Sequence, residues 1–253
     1  MKIRVGRIPY LNSEPFYLTM ARDGLELCDL VPTALSRACE QGRIDAGPLP
    51  VVDFLRLEER FSALGKFCIA TLDKARSVLL FSKRQVQELG EATIGITGET
   101  STSKRLLEVL LTHRYEVKAA NYVPLTEPND AFLVIGDEAL RMRNGVPSYP
   151  YCYDLGEEWY QWMDLPFVFA MWAINNELLG DTATYLEDVL GACVDEGLER
   201  IPEITEKRDG LGMSQSDVEE YYRGFHYRAG APELKSIEHF KQYLGALEES
   251  RVA

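Results

Sequence analysis

A run of hydroxyl side chains, Thr100-Ser101-Thr102-Ser103, follows Gly98-Glu99 where a strand-like stretch gives way to a helix-like one. Backbone N–H groups and hydroxyls at a helix N-terminus form a ready site for a carboxylate or phosphate. Capping by Thr100 or Ser101 needs only one hydroxyl, so the run points beyond capping to an anionic ligand. Asn12 stands at the end of the first strand-like stretch, where loops of open α/β sheets bind ligands, although an asparagine there is also a good helix cap. Ser77, beside Arg76, and Gly136-Asp137 occupy further strand ends. Ser77 equally suits a sheet, and Asp137 a cap for the helix-like stretch Glu138 to Met142. Trp159, Tyr160, Trp162, Phe167, Phe169 and Trp172 have the character to line a site for a ring-shaped ligand, with core packing the commoner use of such residues.

Other chemistries lack their residues. The sequence contains no G-x-S-x-G, H-E-x-x-H, P-loop or G-x-G-x-x-G pattern. The three histidines, 113, 226 and 239, fall on helix-like stretches or at their ends, without a second ligand at metal spacing, so each reads as structural or exposed. Five cysteines, at 28, 39, 68, 152 and 193, form no C-x-x-C pair and no zinc-finger spacing, which reads as reduced thiols. A formal net charge of −13 argues against a broad basic surface for nucleic acid or anionic lipid. A small anion remains compatible with it, because donors in a pocket act locally.

The elements that must position these residues follow from the hydrophobic pattern. With 253 residues, 46% hydrophobic and 26% charged, the chain has the composition of a soluble globular protein with a full core. Strand-like runs alternate with helix-like ones through the first two thirds, the pattern of a mostly parallel sheet covered by helices. The strands expected are Ile3 to Ile8, the stretch Arg43 to Pro50, Lys66 to Thr71, Arg76 to Ser82, Thr93 to Thr97, Val117 to Val123, Phe132 to Gly136 and the apolar run Leu165 to Ile174. Asn12 or Ser13 is expected to cap a helix with Pro15 in its first turn. Thr33 opens a helix with Gly42 at its C′ position. A helix over Thr102 to Thr112 buries Leu106, Leu107, Leu110 and Leu111. The last third reads as helices: one marked by Tyr185, Val189, Ala192 and Cys193, one opened by a Ser216–Glu219 capping box, and one marked by Leu234, Ile237, Phe240, Tyr243 and Leu244. These helices are expected to return to the first sheet. That gives a discontinuous lobe of 1–82 plus 175–253, an inserted lobe of 83–174, and a ligand cleft between them. No stretch reaches the roughly 18 apolar residues of a membrane span, and Met1 to Tyr10 runs directly into a strand pattern without a secretory leader, so the expectation is a cytoplasmic protein.

Five segments, in this order, carry a resemblance: Val5-Gly6-Arg7-Ile8-Pro9-Tyr10-Leu11-Asn12, Ile44-Asp45-Ala46-Gly47, Arg76-Ser77-Val78, Ile135-Gly136-Asp137-Glu138-Ala139-Leu140 and Leu165-Pro166-Phe167-Val168-Phe169-Ala170-Met171-Trp172-Ala173. Over essentially the whole chain the sequence resembles the chorismate dehydratases of the futalosine route to menaquinone, the MqnA family. The resemblance implies an α/β fold of the type II periplasmic-binding-protein kind, two α/β lobes with a cleft. It implies a cytoplasmic enzyme that removes water from chorismate to give 3-[(1-carboxyvinyl)oxy]benzoate. Loss of the ring C3 hydrogen and the C4 hydroxyl makes the ring aromatic, and this chemistry needs neither cofactor nor metal.

The resemblance assigns Asn12 as the active-site asparagine, with Ser77, Ser101 and Thr102 binding substrate and Gly47 and Gly136 among the substrate-binding positions. Asn12 then orients the departing hydroxyl or an enolate-like charge. Because an asparagine cannot take the C3 proton, the base is either the substrate's own enolpyruvyl carboxylate or Asp137. Sister enzymes that release 1,4-dihydroxy-6-naphthoate are expected to carry a histidine after the strand that here reads Val134-Ile135-Gly136-Asp137, and this sequence has none there. A non-enzymatic small-anion-binding protein of the same fold is the other reading.

Overall fold

A computed structural model describes residues 2–21, 24–117 and 121–252 of the protein. In chain order the elements are β1 (Ile3–Arg7), β2 (Leu25–Asp29), α1 (Pro32–Glu40), β3 (Ala46–Pro50), α2 (Val51–Arg56), β4 (Phe61–Thr71), β5 (Val78–Ser82), β6 (Thr93–Ile96), α3 (Thr102–Val109), β7 (Asn121–Pro124), β8 (Ala131–Ile135), α4 (Gly136–Arg141), β9 (Tyr151–Asp154), α5 (Leu155–Met163), β10 (Phe167–Asn175), α6 (Asp181–Glu199), α7 (Ile201–Lys207), α8 (Gln215–Arg223), β11 (Phe225–Arg228) and α9 (Ala231–Val252). A 3-10 turn, Leu11–Phe16, follows β1, and a π turn, Leu110–Arg114, prolongs α3. Of the expected strand Val117 to Val123, residues 118–120 lie outside the described residues, and β7 covers its end.

The chain divides into one unit of Met1–Ala70 with Val168–Gly230 and another of Thr71–Phe167 with Ala231–Ala253. The expected boundaries, 1–82 plus 175–253 and 83–174, differ from this at both crossings and at the C-terminus. The crossings come earlier, near the end of β4 and at the start of β10. The final helix packs with the second unit because that unit holds its apolar partners: Phe240 meets the rings of Trp159 and Phe167 with centroids 5.8 and 5.0 Å apart, and Trp159 Nε1 donates to Ser236 Oγ at 3.0 Å. Phe240, Leu244 and Leu247 form the buried stripe of α9, whereas Leu234, expected on that face, is 54% exposed.

The first unit is built on a six-stranded sheet in the order β11-β4-β10-β3-β1-β2. β1 pairs in parallel with β2 and β3, but β10 runs antiparallel to β3, so the sheet is mixed rather than mostly parallel. β1 and β3 approach closely at two glycines, since a methyl on Gly47 would lie 3.2 Å from the Gly6 carbonyl oxygen. On α6 the buried stripe is Ala183, Leu186, Val189, Leu190, Cys193, Val194 and Gly197. Of the four residues that mark this helix in the sequence, Val189 and Cys193 lie on the stripe, whereas Tyr185 and Ala192 are exposed. The capping box of α8 is Ser214–Asp217, two residues before the expected Ser216–Glu219. His226, expected on a helix or at a helix end, lies in strand β11.

The second unit carries a five-stranded sheet in the order β7-β6-β8-β5-β9. β6 runs parallel to β7 and β8, and β5 runs antiparallel to β8 and β9. Leu106, Leu107, Leu110 and Leu111 are all buried, as their spacing predicts. No helix among the described residues is long and apolar enough to cross a membrane.

Candidate active site

In the first unit Asn12 lies inside the 3-10 turn that follows β1. The residue in the cap position is Tyr10, without a side-chain cap hydrogen bond, so neither Asn12 nor Ser13 caps a helix as the sequence suggested. Asn12 is half-buried, and its Oδ1 accepts from Ser13 Oγ at 3.2 Å. The turn is fastened from below. Tyr222 donates its hydroxyl to the Leu11 carbonyl at 2.8 Å, and Tyr227 donates to the Asn12 carbonyl at 2.9 Å. Burial, reinforced by Tyr222, Tyr221 and Cys68, pushes the Tyr227 phenol well above its usual range, so it remains a donor at any ordinary pH.

Two residues on, the buried carboxylate of Glu14 pairs with Arg7 at 3.0 Å and with Arg208. A carboxylate this deep requires such partners. Pro15 then lies directly on α6 at Gly197, where a methyl would fall 2.3 Å from its carbonyl oxygen. Phe16 closes the turn into the core, with its ring centroid 5.2 Å from that of Trp172 and 5.4 Å from that of Tyr227. The turn is therefore fixed at Leu11, Asn12, Glu14, Pro15 and Phe16. Gly47, the other candidate of this unit, is buried within β3, and its lack of a side chain is explained by the approach to Gly6.

In the second unit five candidates, Ser77, Ser101, Thr102, Gly136 and Asp137, share one end of the sheet. β5 and β8 are antiparallel with Val78 opposite Ile135, which sets Ser77, just before β5, beside Gly136, just after β8. Gly136 N donates to the Ser77 carbonyl at 2.8 Å. Gly136 has φ +59°, a left-handed conformation that glycine adopts without strain, and it turns the chain into α4. Asp137 follows in the first turn of α4 and is only 9% exposed. The cap position of α4 is Ile135, with no side-chain cap bond, so Asp137 is not the helix cap its sequence position allowed. β6 is parallel to β8, which brings the start of α3 to the same end of the sheet.

There the cap position is Ser101, but the capping hydroxyl is that of Thr100, which accepts from Ser103 N at 3.2 Å. Thr102 is buried and Ser101 half-buried. Ser77 is 1% exposed, and its hydroxyl donates back to the Ala75 carbonyl at 3.2 Å. The aromatic set separates: Trp159, Phe167 and Trp172 are core residues, whereas Tyr160 is 38% exposed.

Sequence reasoning missed the supports of both clusters. Tyr222, Tyr227 and Arg208 reach the Asn12 turn across about 200 residues, a relation that no local pattern encodes. Gly197 did leave a signal, since a glycine on the apolar face of a helix marks a close approach.

Two α/β units in a discontinuous chain, each with a helix-covered mixed sheet, make this a periplasmic-binding-protein-like fold. Solved structures agree. A protein from Archaeoglobus fulgidus is similar with a TM-score of 0.79, at 16% identity and 98% coverage of both chains. The alkanesulfonate-binding protein SsuA from Xanthomonas axonopodis pv. citri is similar with a TM-score of 0.66, at 12% identity, covering 99% of this chain and 93% of that one. Residues 3–246 match the family model described as menaquinone biosynthesis, and the chain belongs to that family. A curated relative, the chorismate dehydratase of Thermus thermophilus, is 28% identical over 95% of this chain and 94% of its own. The resemblance carried by the five sequence segments is borne out at the level of the family.

Proposed function

We propose that the protein is a chorismate dehydratase, removing water from chorismate to give 3-[(1-carboxyvinyl)oxy]benzoate. The observation that carries the reading is the gathering of Ser77, Gly136-Asp137 and the Ser101-Thr102 helix start at one end of a sheet, in a chain of the menaquinone biosynthesis family. Chorismate bears two carboxylates and a ring hydroxyl. Hydroxyls and backbone N–H groups at the start of α3 suit a carboxylate through fixed dipoles rather than net charge, which fits an acidic protein. The Ser77 hydroxyl makes a long bond to Ala75, and a carboxylate is the stronger acceptor for it.

Asn12 supplies an amide whose main chain is fixed at its own carbonyl and at Leu11, and such rigidity is what a group needs to orient a departing hydroxyl. The reaction breaks the C3–H and C4–O bonds. The electron pair left at C3 enters the ring as hydroxide leaves C4, and the proton joins it as water. The base is the enolpyruvyl carboxylate of the substrate, with Asp137 as the rival protein group.

The test is to incubate the purified chain with chorismate and follow both compounds by chromatography with mass detection. An aromatic product lighter by one water, formed without added cofactor and lost in Asn12→Ala, is the expected result. Unchanged chorismate with folded protein overturns the reading, and a wild-type rate in Asn12→Ala removes Asn12 from the site.

A further inference from the structure

The segment that delivers Ser77 to the end of β5 contains an unusual residue. Arg76 has φ +57°, a left-handed conformation that a residue with a side chain adopts only when its surroundings impose it. The group that accepts its amide is Asp154, at the junction of β9 and α5. Its Oδ1 accepts from Gly156 N at 2.9 Å, from Glu157 N at 3.2 Å and from Ala75 N at 2.9 Å, and its Oδ2 accepts from Arg76 N. Burial raises this carboxyl above its ordinary value while the four amides oppose the shift. All four partners are donors, so a protonated carboxyl would set O–H against N–H, and the ionised form is the one that fits.

Capping α5 does not require this arrangement. A cap needs one oxygen facing Gly156 and Glu157, and asparagine or serine provides it as well as aspartate. The second oxygen is directed to Arg76, 78 residues earlier in the chain. The turn it holds is short: Ser77 Oγ reaches back to the Ala75 carbonyl, and the Ser77 carbonyl receives Gly136 N.

We infer that Asp154 is a positioning residue, which holds Arg76 in its left-handed turn through its second carboxylate oxygen and thereby sets Ser77 for substrate. This rests on the role proposed above for Ser77.

Asp154→Asn separates the two duties. Its Oδ1 still caps α5 and still accepts from Ala75 N, while an NH2 donor replaces the oxygen that faces Arg76 N. The experiment measures kcat and KM for chorismate with the full chain in wild type, Ser77→Ala, Asp154→Asn and the double variant, together with thermal unfolding. If Ser77 binds a substrate carboxylate, Ser77→Ala raises KM by about 10- to 100-fold. Asp154→Asn then raises KM comparably with little change in Tm, and the double variant is no worse than Ser77→Ala alone. Adding Arg76→Gly to Asp154→Asn returns KM toward wild type, because glycine takes a positive φ without help.

A wild-type KM in Asp154→Asn beside a raised KM in Ser77→Ala overturns the inference and leaves the proposed function standing. So do multiplying effects in the double variant, or a loss confined to kcat. A wild-type chain inactive on chorismate overturns the proposed function itself, and an active one with unchanged KM in Ser77→Ala removes Ser77 from the site and this inference with it. If Asp154→Asn fails to fold, Asp154→Ser retains a one-oxygen cap and carries the same test: a raised KM supports the inference, and a wild-type KM overturns it.

Discussion

Replacing Gly197 by alanine is the sharpest probe of how the Asn12 turn is held. The new methyl would lie 2.3 Å from the Pro15 carbonyl oxygen, 2.6 Å from its Cα and 2.8 Å from its carbonyl carbon, where ordinary contact begins at 3.4 Å. The obstacle is main chain, which cannot rotate away, so α6 and the turn must part by about 1 Å. In a helix interior alanine is favoured over glycine by about 1 kcal/mol, while overpacking costs about 1–3 kcal/mol. The net loss of up to about 2 kcal/mol lowers Tm by several degrees, at about 2–4 °C per kcal/mol for domains of this size.

Activity should suffer more than stability, because a misplacement of about 1 Å at a reacting group costs about 100-fold in rate. Gly191→Ala is the control on the same helix, for there a methyl meets only Phe67 at 3.7 Å and Arg228 at 4.0 Å. The assay is chorismate turnover well below Tm, with thermal unfolding in parallel. Gly197→Ala with a wild-type kcat, or Gly191→Ala damaged to the same degree, would refute the reasoning.

Tyr227→Phe removes the donor to the Asn12 carbonyl; a stability loss of about 1 kcal/mol and a fall in kcat larger than any rise in KM are expected from calorimetry and steady-state kinetics. Asp137→Asn tests the base: if the substrate carboxylate takes the proton, turnover persists, whereas abolished turnover with chorismate still stabilising the protein in a thermal-shift assay assigns the step to Asp137. Burial alone would raise the Asp45 carboxyl, but hydrogen bonds and charge from Arg4 outweigh it and hold the group below its usual value. The unfolded chain therefore binds that proton more readily. The stabilisation is complete above about pH 4 and is lost as pH falls through the depressed value. Arg4→Ala should accordingly move the acid-unfolding midpoint, followed by circular dichroism, to higher pH.

Much of this organisation was legible in the residues themselves. Period-two and helical spacing located β1, β3 to β8, β10 and the buried face of α3, because those patterns report burial directly, whereas β2, β9 and β11 were not read from the sequence. Gly42, with φ +66°, lies just beyond the end of α1, as its type and spacing implied. The errors lie where tertiary packing decides. On α6 the pattern marked Val189 and Cys193, which are buried, together with Tyr185 and Ala192, which are not, because the buried stripe is set by what the helix packs on. Nothing in Leu234 to Leu244 says which sheet the last helix covers; that depends on the Trp159–Phe167–Phe240 ring contacts. The candidate site shows the same division. Asn12, Ser77, Asp137 and the hydroxyl run stand out by type and position, while Tyr227, Glu14 with its two arginines, and Asp154 act through partners remote in sequence. For Asp154 the local pattern, an aspartate three residues before Glu157, marks a helix start and is silent about Arg76.

The fastenings of the Asn12 turn also dictate when it can form. Arg208, Tyr222 and Tyr227 lie 194, 211 and 215 residues after the groups they grip. A ribosome adding about 5–20 residues per second makes the asparagine about 10–40 s before the phenol that fixes its carbonyl. Through that interval the N-terminal segment lacks these three contacts, and loop closure over such a distance is slow. The turn thus lacks its native fastenings until the second crossing of the chain has returned to the first sheet, and the role proposed for Asn12 can begin only then.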